Sequence, residues 1–154
     1  MTVSLAAARA AFDRRRAAWL AEDLDAYMGC WAPDMVIDVP GRTIRGRDAY
    51  RELSAGSFAW ARPVAFTFHH LAVDGDVVLA DWTITVETRA DGEAFAWRGM
   101  SACALDADGR IVWWREYYED PVALRAARAS SHGISDGDGG ARRGLRRADG
   151  GSSA

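Results

Sequence analysis

A glutamate lies between aromatic residues in the stretch IVWWREYYEDP, which runs from 111 to 121. Glu116 has Trp114 two residues before it and Tyr118 two residues after it, so in a β-strand these three side chains share one face. Apolar surroundings disfavour the charged form of a carboxyl group and raise its pKa. Such a group suits general acid or base catalysis near neutral pH, and the sequence therefore predicts Glu116 as a catalytic residue.

The alternative role for Glu116 is structural. Three consecutive arginines, Arg14, Arg15 and Arg16, lie in the first predicted helix, and one of them could neutralise the carboxylate. A carboxylate beside a guanidinium keeps its charge and has a lowered pKa, which does not suit proton transfer. The sequence leaves both roles open.

The adjacent histidines supply a second candidate for proton transfer. If Asp74 and Gly75 form a two-residue turn, His69 shares a face with Trp82, and His70 points to the other side. His69 could then assist proton transfer or orient a substrate carbonyl group. The opposite parity would group His70 with the inward phenylalanines, and a strand histidine is more often structural, so this choice stays open.

Composition and charge exclude several classes of function. The net charge of −3 gives no reason to expect binding to nucleic acid or to an anionic membrane, and all 19 basic residues are arginine, which excludes Schiff-base chemistry on a lysine. Cys30 and Cys103 lack the spacing of metal ligands and are expected to be reduced, buried thiols. No apolar run approaches the ~18 residues that span a bilayer, and we expect a cytoplasmic protein. No phosphate loop, metal triad or Ser–His–Asp order is present.

The first sixty residues have helical periodicity with one strand between the helices. Apolar positions from Leu5 to Trp19 predict a first helix, and EDLDAYMGCW predicts a short second helix that Asp23 caps and that ends near Pro33. The stretch DMVIDVPG alternates as a strand does. A third helix is predicted to begin after Gly46.

Four long strands follow, separated by VDGD, RADGE and DADGR, each of which contains the hairpin signal Asp-Gly. They are predicted at 63–73, 76–88, 93–105 and 110–120. Helices followed by a meander predict an α+β fold, a curved antiparallel sheet with three N-terminal helices packed on one face. A last helix is predicted to start at Pro121. The domain is expected to cover 1–129, and the stretch 130–154, rich in Gly, Ser and Arg, is expected to be a disordered tail.

Strand parity divides the predicted sheet into two faces. Pairing Thr88 with Glu93 and Leu105 with Arg110 makes one face almost wholly apolar and places Gly99, with open space, beside Glu116. The candidate substrate-binding residues on this face are Trp82, Trp97, Ser101, Trp114 and Tyr118. The other face carries Met100, Trp113 and Tyr117, which would be costly to expose and predict a contact between two copies of the chain.

Three stretches, LAEDLDAYMGCWAPDMVIDVPG, IRGRDAYREL and GRIVWWREYYEDP, resemble the SnoaL-like branch of the nuclear-transport-factor-two-like superfamily. This superfamily includes polyketide cyclases, ketosteroid isomerases and limonene epoxide hydrolases, and the resemblance covers about residues 4–125. It implies a cone-shaped curved antiparallel sheet with the three N-terminal helices on its concave face and a deep apolar pocket between them. It also implies a homodimer and an acid–base carboxylate in the last strand at Glu116. Family members commonly have Asp there, so Glu116 is a longer substitute.

The resemblance disfavours two of these reactions. The Arg and Asp of the epoxide hydrolases correspond to Trp82 and Ile84, and their water-holding Tyr and Asn correspond to Ile37 and Val39. Apolar residues thus replace all four polar groups. The oxyanion donors of the ketosteroid isomerases correspond to Arg15 and Ser101.

The catalytic base of the ketosteroid isomerases corresponds to Val39, which stands next to Asp38. A bulge could turn Asp38 into the pocket and make it catalytic. Simple parity points it away from Ile37 and Val39, and it is then a rim or capping residue.

Together these features predict acid–base chemistry without a cofactor, namely cyclisation or isomerisation of a small hydrophobic carbonyl compound. Glu116 would move the proton, and Ser101, His69 or Tyr118 would place the substrate. The alternative is a non-catalytic module of the same fold that binds a small ligand or dimerises. The expected partners are a small hydrophobic molecule and a second copy of the chain.

Overall fold

The computed structural model describes residues 2–132 and combines four helices with a six-stranded sheet. The helices are α1 (Leu5–Leu20), α2 (Leu24–Gly29), α3 (Arg47–Trp60) and α4 (Pro121–His132). The strands are β1 (Trp31–Val39), β2 (Arg42–Arg45), β3 (Ala61–Asp74), β4 (Val77–Thr88), β5 (Ala94–Leu105) and β6 (Ile111–Tyr118). Of the predicted tail at 130–154, residues 130–132 end α4, and residues 133–154 lie outside the described residues.

Side-chain caps and a glycine determine where the first three helices begin. Ser4 accepts a hydrogen bond from the backbone nitrogen of Ala7 at 3.1 Å and caps α1, and Asp23 caps α2 in the same way. Gly46, with φ of +83°, turns the chain into α3 through a conformation that favours glycine. These starting points agree with the helices predicted from the sequence. Within residues 2–132, none of the helices has an apolar stretch long enough to cross a membrane.

The strands lie in the order β2-β1-β6-β5-β4-β3 and form a curved, open sheet, so the predicted α+β class is confirmed. β3 to β6 form the predicted antiparallel meander. Two features were not predicted: β2 is a separate strand that pairs with β1, and β1 runs parallel to β6. The last strand therefore lies in the interior of the sheet, with β1 on one side and β5 on the other.

The hairpin between β5 and β6 differs from the predicted register. The Asp106 side chain accepts hydrogen bonds from the backbone nitrogens of Asp108 and Arg110, each at 2.9 Å, and the Asp106 backbone nitrogen donates to the Arg110 carbonyl. Leu105 thus pairs with Ile111, one residue beyond the predicted partner Arg110. A further irregularity before Trp113 completes a two-residue shift, and Glu116 lies opposite Ser101.

The same irregularity changes the orientation of two side chains at the start of β6. Ile111 is only 1% exposed and belongs to the core, although simple alternation predicted that it points outward. Val112 was predicted to face inward, but it falls at the shift in register and is half-buried. From Trp113 onward the alternation is regular, so Trp114, Glu116 and Tyr118 keep their predicted face.

Gly99 lies beneath the indole of Trp82 and does not leave open space beside Glu116, so that prediction was wrong. A Cβ at Gly99 would approach Cζ2 of Trp82 to 2.3 Å. The indole is held in place because its Nε1 donates a hydrogen bond to Oγ of Ser101 at 2.7 Å. Only glycine permits this approach of the ring to the β5 backbone.

We expect Gly99→Ala to lower the free energy of unfolding by about 1–3 kcal/mol, because the added methyl group overlaps a buried, hydrogen-bonded ring. Urea unfolding would measure the change. Gly56→Ala is the matched control, since a Cβ at Gly56 meets nothing within 4 Å and the position lies inside α3. This control should raise the free energy of unfolding by about 0.4–1 kcal/mol. Equal effects of the two substitutions would contradict the steric account.

The outer face of the sheet carries exposed apolar side chains. Met100 and Tyr117 are direct cross-strand partners on β5 and β6, and they are 64% and 69% exposed. Leu79 on β4 is also exposed. The predicted homodimer, which remains a proposal, would cover this patch.

The proposed homodimer should appear as a dimer mass in sedimentation equilibrium at micromolar protein. Replacing both Met100 and Tyr117 with arginine should give a monomer, because like charges would face each other across a two-fold axis. Leu5→Arg, which also charges an exposed apolar site but on α1, should leave the mass unchanged. A monomeric wild-type protein would refute the proposal.

Candidate functional site

A cavity of about 240 Å³ lies between the helices and the inner face of the sheet. Its wall is mainly apolar and aromatic, with Trp19 from α1, Ile37 from β1, Trp82 and Ile84 from β4, and Trp97 from β5. The polar residues that line it include Arg15, Tyr27, Tyr50, Glu116 and Tyr118. Apolar walls with a few converging polar groups are typical of small-molecule sites.

Glu116 reaches the cavity from β6 and is held there by its neighbour on the same face. Nε1 of Trp114 donates a hydrogen bond to Oε2 of Glu116 at 2.7 Å. Burial raises the pKa of Glu116, although the charge of Arg15 and the bond from Trp114 act in the opposite direction. The carboxyl group is thus buried with a raised pKa, and its acid–base role stays a prediction.

The three arginines of α1 differ in their contacts, and none forms a direct ion pair with Glu116. Arg14 donates to the carbonyl of Gly109, and Arg16 pairs with Asp13. Among the side chains that the structure describes, no basic nitrogen lies within 4.0 Å of Glu116. The charge of Arg15 nevertheless lowers the pKa of Glu116 in part. The environment of Glu116 is therefore intermediate between an unpaired carboxyl group and one in a direct ion pair.

Arg15 is 5% exposed, and its guanidinium lies among aromatic rings. Its Cζ is 4.4 Å from the ring centroid of Trp114, and 5.1–5.6 Å from those of Phe66, Tyr27 and Trp31. These are cation–π distances, which offset part of the cost of removing the charge from water. Burial alone would lower the pKa of Arg15, but Tyr27, Tyr50 and Glu116 outweigh it and raise the pKa, so the side chain stays charged.

A chain of hydrogen bonds leads from Arg15 through two phenols. Nη2 of Arg15 donates to Oη of Tyr27 at 3.2 Å, and Oη of Tyr27 lies 2.9 Å from Oη of Tyr50. Because Tyr27 already accepts from a cation, it can donate its own proton to Tyr50, whose proton is then available to a group in the cavity. Burial raises the pKa of Tyr50 well above its usual value, so it remains a donor.

Most of the predicted binding residues come together around this cavity. Trp82, Trp97 and Tyr118 line it with Glu116. Ser101 and Trp114 are buried next to the lining residues and act through them, since Ser101 accepts from Trp82 and Trp114 donates to Glu116. Neither is among the residues that line the cavity, and their predicted substrate contacts stay a prediction.

His69 does not face the cavity, so this prediction was wrong. The pairing of β3 with β4 has a bulge between Phe68 and His70, which leaves His69 as an extra residue. The imidazole of His69 lies within 2.8 Å of the Thr83 hydroxyl, and Nδ1 of His70 lies 2.9 Å from Asp81. Both histidines are exposed, and neither parity considered for the sequence describes this arrangement.

Asp38 also lies away from the cavity. It accepts a hydrogen bond from Thr43 at 2.7 Å and lies 3.8 Å from Nη2 of Arg115. Its neighbours Ile37 and Val39 line the cavity instead. The irregularity of β1 falls between Trp31 and Val36, before the position that would turn Asp38 inward. Asp38 therefore takes the orientation that simple parity predicted, and the structure does not bring it together with Glu116.

The buried thiols are chemically quiet. Cys30 and Cys103 are free and buried, as predicted. Burial raises the pKa of Cys103 to about 12 and also raises that of Cys30, so both are protonated at neutral pH. Within residues 2–132, no three side chains of His, Cys, Asp or Glu are grouped in a way that could hold a metal ion.

Tyr27 and Tyr50 were not predicted as site residues. The sequence did carry one signal for this part of the site, because Ala8, Phe12, Arg15 and Trp19 are spaced by four, three and four residues. This spacing places Arg15 on the apolar stripe of α1. A charged residue on that stripe requires partners, and buried tyrosines are suitable ones.

Comparisons with known proteins agree with this architecture. Residues 9–114 match the family model of the SnoaL-like domain. A proposed isomerase from Bacillus subtilis is 20% identical with a TM-score of 0.69, and the match covers 80% of this chain and 93% of that one. An LEH-like epoxide hydrolase from M. tuberculosis is 23% identical with a TM-score of 0.67, covering 83% and 97%.

A third structure, a Catenulispora acidiphila protein with a ketosteroid isomerase-like fold, is 20% identical with a TM-score of 0.63, covering 71% of this chain and 85% of that one. No curated protein sequence matches the chain. At these identities the likeness shows a shared fold, and the site itself must carry any argument about the reaction.

The raised pKa of Glu116 predicts a pH-dependent effect of Glu116→Gln on stability. Between the usual value of 4.5 and the raised value, the folded protein binds more protons than the unfolded chain. The wild-type protein therefore loses stability as the pH rises through this window, and the amide variant does not. The free energy of unfolding of Glu116→Gln, relative to wild type, should therefore increase as the pH rises above 4.5 and level off above the raised pKa.

Urea unfolding at several pH values would measure this difference. Ser57→Ala, a neutral change in the wall of the same cavity, is the control and should have the same effect at every pH. A Glu116→Gln difference that is constant or that shrinks as the pH rises would contradict the raised pKa.

Proposed function

The chain belongs to the SnoaL-like family, and from this premise we propose that it is an enzyme acting on a small hydrophobic carbonyl compound. The reaction is a cyclisation or an isomerisation by acid–base chemistry that needs no cofactor. One observation carries the proposal: Glu116 lines an apolar cavity, has a raised pKa, and is oriented by a hydrogen bond to one oxygen.

Glu116 acts first as the base. With Oε2 held by Trp114, Oε1 is the oxygen that can take a proton from the carbon next to a bound carbonyl group. The electrons of the broken C–H bond then form an enolate. If a carbon–carbon double bond is conjugated with the enolate, return of the proton from Glu116 to the far carbon of that system shifts the double bond and isomerises the compound. If the enolate carbon instead attacks a second carbonyl group of the same molecule, a ring closes and the alkoxide that forms takes the proton from Glu116.

The phenol chain supports the developing enolate oxygen. Tyr50 lines the cavity, and its hydroxyl is polarised through Tyr27 by the guanidinium of Arg15. A donor that is already oriented towards a developing negative charge contributes strongly to catalysis, because no reorganisation is needed during the reaction. The apolar side chains of the cavity wall supply no such donor. Ile37, Val39 and Ile84 have no polar atoms, and the indole nitrogen of Trp82 already donates to Ser101.

The size of the cavity limits the substrate. About 240 Å³ is below the usual range of ~300–1,000 Å³ for sites that hold drug-sized ligands. One aromatic ring or two fused rings are compatible with this volume. A larger polycyclic compound would require Trp82 and Trp97 to move, and Trp82 is fixed by Ser101 and Gly99.

Exchange of the α-protons of phenylacetone or indanone in heavy water, followed by NMR, would test the proposal. We expect exchange by the wild-type protein, and a decrease by about 10²–10⁴ in Glu116→Gln, which cannot accept the proton. Tyr50→Phe should also slow exchange, because it removes the donor to the enolate oxygen.

Asp38→Asn is the matched control and should leave exchange unchanged, since it removes a carboxylate of the outer face. If the ketones bind and exchange does not depend on Glu116, the protein is a ligand-binding module of the same fold, which is the alternative function.

A further inference from the structure

Ser54 on α3 is a buried residue whose hydroxyl group has no partner within residues 2–132. Four polar or charged residues are buried in this part of the chain, namely Arg15, Ser54, Thr88 and Ser101. The other three each make at least one side-chain hydrogen bond. Ser54 makes none there, although it is only 6% exposed. An unpaired hydroxyl group in such a position is costly, so this serine requires an explanation.

The hydroxyl group of Ser54 is open to the cavity. Within residues 2–132, the fully enclosed side-chain nitrogen and oxygen atoms that lack a partner belong to Arg15 and Trp31. Oγ of Ser54 is not among these enclosed atoms, and Ser54 lines the cavity. A molecule in the cavity can therefore form a hydrogen bond with this oxygen.

Ser54 lies next to Tyr50, the donor assigned to the enolate oxygen. The two residues are four positions apart in α3, so their side chains share one face of the helix, with Cβ atoms about 5–6 Å apart. Both line the cavity, and the residues that line it from the sheet include Ile37, Ile84 and Trp97. A bound molecule thus has one edge against two hydroxyl groups of α3 and another side against apolar side chains.

Filling the cavity changes what the Ser54 hydroxyl group can bond to. Water in the cavity can satisfy this group, but a purely apolar ligand would displace the water and leave the hydroxyl group unpaired, which weakens binding. A hydroxyl group on the ligand replaces the water, because it can both donate to and accept from Oγ of Ser54. A site with such a polar group discriminates against compounds that lack the matching group.

We propose that the substrate is a hydroxy ketone, and that Ser54 selects it through a hydrogen bond to its hydroxyl group. The carbonyl oxygen of the same molecule accepts from Tyr50, as in the proposed function, on which this inference rests. The ligand is neutral, so its binding leaves Glu116 able to act as the base. Ser54 thus determines which ketones bind and takes no part in the proton transfer.

Calorimetric titration with indanone and with the isomers that carry one hydroxyl group on its aromatic ring tests the proposal, because these probes share a shape and differ in one group. We expect the wild-type protein to bind at least one hydroxylated isomer about tenfold more tightly than indanone, the ratio typical of one hydrogen bond to an otherwise unpaired group. In Ser54→Ala the two should bind within about twofold of each other. Indanone itself should bind more tightly to this variant than to wild type, since no hydroxyl group is left unpaired.

Ser57→Ala is the matched control, because Ser57 lines the same cavity from the same helix but its hydroxyl group already donates to the carbonyl of Leu53 at 3.2 Å. This variant should keep the wild-type preference. Both substitutions introduce alanine, the best helix former, inside α3, so both variants should fold. A wild-type protein without preference for any hydroxylated isomer, or an undiminished preference in Ser54→Ala, would overturn the proposal.

The result is separable from the test of catalysis, because binding is measured without turnover. A preference that depends on Ser54, without Glu116-dependent proton exchange, removes the enzyme and leaves the hydroxyl-binding site. Glu116-dependent exchange without such a preference leaves the enzyme and removes the role of Ser54.

Discussion

The positive charge of Arg15, held within the protein and surrounded by aromatic rings, is the constraint on which this end of the fold depends. The rings that approach it come from four different elements: Tyr27 from α2, Trp31 from β1, Phe66 from β3 and Trp114 from β6. A buried guanidinium without such neighbours would cost several kcal/mol in lost hydration. The charge on α1 therefore requires aromatic side chains from the neighbouring elements. Through these cation–π contacts, Arg15 connects α1 with α2 and with strands from both halves of the sheet.

Trp114 connects this constraint to the candidate chemistry. The face of its ring contacts Arg15, and its indole nitrogen holds Glu116. One residue thus separates the cation from the carboxyl group while positioning both. If the two charges were in direct contact, the pKa of Glu116 would fall, and the carboxylate would lose much of its basicity. The indole between them permits attraction at a distance, which moderates the raised pKa without reversing it.

The sequence was most informative where local chemistry determines structure. The Asp-Gly turns located the four long strands within two residues, and alternation placed Glu116 and Tyr118 on the inner face correctly, because an error of two residues in register leaves parity unchanged. β-Bulges caused the errors in the predicted orientation of other strand residues. One extra residue at His69 turned the histidine outward, and another irregularity near Val112 brought Ile111 into the core. Such insertions depend on packing against other strands, which one sequence does not display.

The parallel pairing of β1 with β6 has a consequence for the order in which the protein can assemble. Among the strands in residues 2–132, β6 leaves the ribosome last, yet it lies between β1 and the rest of the meander. Until it arrives, β1 and β5 have unpaired edges, and the aromatic enclosure of Arg15 lacks Trp114. This contact joins distant parts of the chain, and such contacts form slowly because a long loop must close first. The carboxyl group that we assign to proton transfer thus enters the molecule with the strand that completes the sheet, so a partly synthesised chain has neither the site nor a finished fold.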